Sequence, residues 1–172
     1  MDFLTLAKAR YSVRKLVDKP VEQEKIDKII EAAIAAPTAC NLQPFKIWVL
    51  QSSEALEKVS QTNPFAFVKE APVVFVIGGD PDEAWKRGFD GHNFVEVDVS
   101  IAATHMMLEV QDLGLGTTWV GHFDPDKMKA LFPEMQGYEL LCVFGVGYPA
   151  EDSTPAPGHS ASKSREQLVA VL

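Results

Sequence analysis

One stretch limits the folds open to this chain more than any other. Val97 to Gly121, VDVSIAATHMMLEVQDLGLGTTWVG, carries a helical pattern with two apolar faces rather than one. At 100° per residue, Ala102, Met106, Val110 and Leu113 fall on one side and Val97, Ile101 and Leu108 on another. Narrow polar stripes run between them, one of Asp98, His105, Glu109 and Asp112, the other of Ser100, Thr104 and Gln111. A surface helix needs a single apolar stripe, so this pattern predicts a helix covered from both sides, by a large core or by a core and a second subunit. Small residues at Ser100, Ala102, Ala103 and Thr104 would let another backbone approach. Gly114 suits a left-handed cap, and Thr117 to Val120, β-branched and aromatic, predicts a strand ending at Gly121.

The 172 residues, 47% of them apolar, suffice for one domain spanning 1–172 with a real core. No apolar run approaches the roughly 18 residues of a membrane span. The start, MDFLTLAKAR, lacks the pattern of a signal peptide, and the chain reads as cytoplasmic. Cys40 and Cys142 are far apart, with no CxxC, and suggest neither disulfide nor zinc. A net charge of −8 argues against nucleic acid as a partner. Yet residues 1–15 carry Lys8, Arg10, Arg14 and Lys15 against Asp2 alone. A locally basic pocket on an acidic protein suits a phosphorylated small molecule.

In chain order, Phe3 to Ala7 make a short helix. Arg10, Ser12 and Arg14 then alternate, so an extended segment would aim two guanidiniums and a hydroxyl at one spot, where they match phosphate oxygens; the alternative is a solvated basic turn. Pro20 at a first turn and Ile26, Ile29, Ile30, Ala33 and Ile34 predict an amphipathic helix ending at Pro37. Thr38, Asn41 and Gln43 follow in a tight loop, which either reads the edge of a heterocycle or is an Asx turn satisfying its own backbone. Strands are predicted at about 46–51, at VVFVIGG after Pro72, and at Tyr138–Val146; Ser52 or Ser53 caps one short helix and Asp124 with Pro125 opens another. Residues 80–96 and the aromatic loop Asn63–Lys69 have no assigned role. The tail beyond Gly147 ends in apolar Leu168, Val169, Val171 and Leu172, which predicts that it packs on something.

Several motifs fail on context. GLGTTWVG runs from helix to strand, the reverse of a dinucleotide fingerprint. The four histidines lack metal-ligand spacing, and no nucleophile elbow is present. An enzyme built on this sequence has to borrow its chemistry from a cofactor.

RYSVRK (Arg10–Lys15), APTACNLQPF (Ala36–Phe45), GLGTTWVG (Gly114–Gly121), GYPAE (Gly147–Glu151) and KSR (Lys163–Arg165), in this order, make the chain similar to the nitroreductase family of FMN-dependent oxidoreductases. The resemblance implies an α+β fold with a mixed, mostly antiparallel sheet flanked by helices. It also implies an intertwined homodimer with C-terminal strand exchange and two FMN sites per dimer, each at the subunit interface. By position, Arg10, Ser12 and Arg14, with Tyr11 among them, would hold the phosphate and ribityl chain, joined by Lys163 and Arg165. Pro37, Thr38 and Asn41 would come from the other subunit, with Gln43 nearby. Trp119, Val120 and Gly121, with His122, would pass the flavin ring, and a backbone N–H near Gly121 would donate to N5. The implied reaction takes hydride from NADH or NADPH and reduces a nitroaromatic, quinone or similar planar acceptor by a ping-pong cycle, with no catalytic side chain and no metal. A flavin carrier without turnover, or a dehalogenating or flavin-consuming member of the same fold, is the alternative. Departures are Phe45 where Trp is common and Thr38 where Ser is common; contacts to the flavin pyrimidine are unmatched apart from Asn63.

Overall fold

The structure, a computed structural model, describes residues 2–172. Its centre is β2 (Val73–Gly79), every residue of which is buried. β1 (Phe45–Leu50) pairs antiparallel with it on one side, from Phe45 opposite Gly79 to Leu50 opposite Val74. β3 (Glu139–Val146) pairs antiparallel on the other, with a register shift after Ile77. Because side chains alternate across a strand, β2 divides its residues between two cores. Val73, Phe75 and Ile77, with Cys142, Phe144 and Val146 of β3, meet α2 (Gln23–Ile34) and α5 (Val95–Asp112). Val74, Val76 and Val143 face α3 (Ser53–Ser60), α4 (Ala66–Lys69) and α6 (Pro125–Leu131), through Val59, Val68 and Met128. Coverage on both sides, not parallel pairing, is why VVFVIGG is apolar throughout. Each such buried side chain contributes roughly 1.5–3 kcal/mol of transfer free energy.

Most elements lie where the sequence places them. Ser52 caps α3 by accepting the Ala55 N–H, and Asp124 caps α6 by accepting that of Lys127. Gly114, at φ +71°, closes α5 as a Schellman turn: the Leu115 N–H donates to the Val110 carbonyl and the Gly114 N–H to that of Gln111. α2 begins at Gln23, leaving Pro20 in the preceding coil. α5 begins at Val95, whose N–H donates to the Asn93 side chain. Residues 80–94 form turns joined by a Lys86–Asn93 bridge, with Trp85 edge-on to Phe94.

Two expectations need correction. The run Thr117 to Val120 is not a continuous strand. Gly116 pairs with Gly147 and Val120 with Val143, but no backbone bond joins the strands in between among the described residues; the Thr117 carbonyl accepts the Val13 N–H and the Thr118 hydroxyl donates to the Val13 carbonyl, 2.7 Å away. Ser12 bridges Thr117 in parallel, so this ragged edge makes an otherwise antiparallel sheet mixed. Asp98, expected on a polar stripe, is only 1% exposed, because the loop after α2 comes down on this part of α5. Of the second apolar face, Val97 is exposed and Ile101 and Leu108 half-buried, while Ala102 and Ala103 are buried. α1 (Phe3–Ala9) buries none of its residues, and α7 (Arg165–Leu168) lies in a tail exposed from Thr154 to Leu172. Leu168, Val169, Val171 and Leu172 therefore stay exposed, and the tail forms no strand among the described residues.

Candidate functional site

The edge at Gly116–Val120 sets the site. Gly116 packs so closely on Val13 that a Cβ would stand 2.6–2.8 Å from the valine's side chain. The Val13 N–H donates to the Thr117 carbonyl at 3.0 Å, so the segment around Ser12 and Arg14 is laid directly along this edge. Past Val120 the ladder ends, and the N–H groups of Gly121 and His122 have no partner among the described residues. A hollow of about 150 Å³ opens there, lined by Arg14, Phe65, Phe67 and Thr118 to His122. Phe65 stacks on Phe67 with centroids 5.2 Å apart and meets His122 edge-on at 6.0 Å. Trp119 lies edge-on to Phe144 at 5.5 Å, which ties the wall to the core.

Arg14 also lines a second hollow of about 250 Å³, with Ser12, Lys15 and Asp152 to Thr154. Its guanidinium reaches only the Ser12 carbonyl, at 3.4 Å, and takes part in none of the ion pairs among the described residues. Lys15, by contrast, is bound to Asp152 at 2.5 Å, and this hydrogen bond holds the Asp152 carboxyl below its ordinary range. Of the two cations on this hollow, Lys15 is thus paired and Arg14 is uncompensated. A free guanidinium fork beside a hydroxyl, adjoining a hollow with aromatic walls and open backbone donors, fits a phosphorylated planar ring.

The remaining sequence candidates lie elsewhere in the chain. Arg10 lines a separate hollow of about 490 Å³ with Lys8, His159 and Ser160. Tyr11, whose hydroxyl donates to the Ser153 carbonyl at 3.2 Å, stands between the two regions. Arg10, at the C-cap of α1, thus lines a different hollow of this chain from Ser12 and Arg14. Lys163 and Arg165 are exposed in the tail. Pro37, Thr38, Asn41 and Gln43 form a loop with left-handed backbone at Cys40, Asn41 and Gln43 (φ 52°, 54° and 49°), a conformation costing about 1 kcal/mol or more per such residue. It is not an Asx turn. The Thr38 hydroxyl closes it by accepting the Gln43 N–H at 3.0 Å, and the Asn41 and Gln43 side chains make no hydrogen bond among the described residues. Asp98 on α5 accepts the Ala39 N–H at 2.9 Å.

Sequence reasoning missed Phe65, Phe67 and Thr118 as lining residues. The alternating aromatics of NPFAF were the available signal. Asn63 is buried and engaged at both ends of its amide, donating to the Val59 carbonyl and accepting the Phe65 N–H, so it shapes this aromatic loop.

Residues 7–63 and 57–148 match the Nitroreductase family. The chain belongs to the nitroreductase family. A relative of this nitroreductase-family chain in Methanothermobacter thermautotrophicus, whose name is that of an NADH dehydrogenase/NAD(P)H nitroreductase, is 35% identical over 157 residues, 88% of this chain and 80% of the relative. The crystal structure of a nitroreductase family protein from Clostridium difficile 630 superposes with a TM-score of 0.89 at 34% identity, covering 99% of this chain and 98% of that one. An FMN-dependent nitroreductase from Clostridium difficile R20291 superposes with a TM-score of 0.77 at 27% identity, covering 95% and 99%. The α+β architecture described above is thus that of the nitroreductases.

Proposed function

We propose that this nitroreductase-family chain is an FMN-dependent oxidoreductase that takes hydride from NADH or NADPH and delivers it to a flat acceptor such as a quinone or a nitroaromatic. The observation that carries this reading is the uncompensated Arg14 guanidinium at the junction of two hollows, one polar and one walled by aromatics and open backbone donors. Bound FMN would supply the redox chemistry, holding two electrons between donor and acceptor. The residues of the chain bind and orient. Ser12 and Arg14 receive the phosphate, as bidentate and hydroxyl donors to its oxygens. The free N–H groups at Gly121 and His122 stand ready for the edge of the ring that gains negative charge on reduction, which favours transfer of two electrons together. Phe65, Phe67 and Trp119 supply planar apolar surface and exclude water.

In this reading the site is completed by a second copy, which brings Pro37, Thr38, Asn41 and Gln43 to the ring and Lys163 and Arg165 to the phosphate. Arg10 stands apart from Arg14 within one chain, so Arg14 carries the larger share of phosphate binding. Nicotinamide and acceptor would use the same open face in turn, a ping-pong cycle. The test is optical. Purified protein should be yellow or take up added FMN, bleach anaerobically with NADH or NADPH, and recover its colour on addition of 1,4-benzoquinone or nitrobenzene. Protein that binds FMN but never bleaches with either nucleotide is a carrier, and protein that takes up no FMN sinks the reading altogether.

A further inference from the structure

We propose that Asp98 is the positioning residue of the Thr38–Gln43 loop. Through the Ala39 N–H its buried carboxylate holds the loop in the left-handed shape that leaves the Asn41 and Gln43 side chains free to bind. The proposal rests on the flavin reading above and says what keeps one wall of that site in shape.

Asp98 lies in the first turn of α5 among Val95, Val99 and Ala102, all buried, and is itself 1% exposed. No cation among the described residues pairs with it. Its Oδ1 accepts the Ala39 N–H at 2.9 Å, and its Oδ2 is buried with no hydrogen-bond partner. Burying a carboxylate without a counter-ion is unfavourable even at a helix N-terminus, where the dipole offsets part of the cost. A leucine would pack here at lower cost. The one interaction Asp98 makes is therefore the reason to look for its role, and that interaction is with the loop.

The loop's other bonds are mostly its own. The Gln43 N–H donates to the Thr38 hydroxyl, the Asn41 N–H to the Thr38 carbonyl, and the Leu42 N–H to the Ala39 carbonyl. These close the loop on itself, while only the Asp98 bond fastens its interior to the helix. Cys40, Asn41 and Gln43 all sit at φ near 50°, where side-chain-bearing residues rest only if held. Without Asp98 the segment is expected to relax toward extended backbone and carry Asn41 and Gln43 with it.

The test compares the parent, Asp98→Asn, Asp98→Leu and Asp98→Ala. It reads amide hydrogen exchange at Ala39 by NMR without flavin, and FMN affinity by fluorescence titration, with the amides of β2 as the folding control. Asp98→Asn keeps an acceptor oxygen, so its Ala39 protection and FMN affinity should stay within about threefold of the parent. Asp98→Leu and Asp98→Ala should each lose about tenfold or more in both, the loss expected for one hydrogen bond to a charged group, with β2 protection unchanged. Full Ala39 protection or parental FMN affinity in the leucine variant overturns the proposal, as does an asparagine variant that falls as far as alanine. If the parent itself takes up no FMN, the flavin reading fails, and Ala39 exchange alone still decides whether Asp98 holds the loop.

Discussion

Arg14 is the most informative side chain at the site because it is a cation without a partner where two hollows meet. A charge-assisted contact of this kind contributes roughly 1.5–3 kcal/mol, so Arg14→Ala should weaken FMN binding by about ten- to a hundredfold while leaving the melting temperature of the flavin-free protein within a degree or two. Unchanged retention of FMN in that variant removes Arg14 from the phosphate site. The alternation of Arg10, Ser12 and Arg14 made Arg14 legible in the sequence, but it does not show that Arg10, the extended C-cap of α1, lines a different hollow of its own chain. Asp98 was misplaced for a similar reason. Helical periodicity assigns a face, but what covers that face comes from a loop 59 residues away in sequence.

Strands and helices whose pattern is set by neighbours on both sides were the most legible: β2 is apolar because two layers cover it, and α5 is capped by a glycine that adopts the conformation its position requires. The ragged edge beside β3 was not legible, since the Thr118 hydroxyl finds its partner at Val13, 105 residues away in sequence, which no local pattern encodes. That edge carries its own prediction. Val13 is β-branched and cannot swing clear of a methyl group at 2.6–2.8 Å, so Gly116→Ala should cost about 1–3 kcal/mol of stability in a denaturant melt. The same variant should loosen FMN, because Ser12 and Arg14 flank the displaced valine; stability and flavin affinity both at parental values would show that the segment is not held by this contact. A second prediction concerns Tyr148, whose hydroxyl donates to Glu22 and accepts from Lys25, which in turn donates to the Leu113 carbonyl, joining the start of α2 to the end of α5. That hydroxyl holds the Glu22 carboxyl below its ordinary 4.5. A depressed carboxylate stabilises the fold above its unfolded pKa and loses that contribution as pH falls through the folded value. Tyr148→Phe should therefore melt below the parent at pH 7, and the gap should close as pH drops below 4.5; a gap independent of pH would assign the effect to packing instead.

At the scale of the whole molecule, most of the large exposed apolar side chains lie on α5, α1 and the tail. The outer face of α5 leaves Val97 39% exposed beside Ile101, along a hollow of about 500 Å³ that also includes Ser100, Thr104 and His105. α1 exposes Phe3 and Leu4, and the tail exposes Leu168 and Val171. We expect a second copy of the chain to cover these side chains. The site points the same way, since the Thr38–Gln43 loop and the Lys163–Arg165 cations do not line the Arg14 hollows of their own chain. A two-fold pairing would cover the apolar faces and bring those groups to the other subunit's hollows in one step. The full chain should thus sediment at twice 18.9 kDa. Deleting residues 163–172 removes both the apolar end and the two cations, and should shift the protein toward monomer and strip it of FMN together. Substituting Lys163 and Arg165 by alanine, with Leu168 to Leu172 retained, should leave the dimer intact and weaken FMN alone, in a manner that grows less marked as salt screens the lost charges. A full chain that sediments as a monomer while holding FMN at parental affinity would mean that one copy builds the whole site, and the partner-supplied loop and tail would then have to be given up.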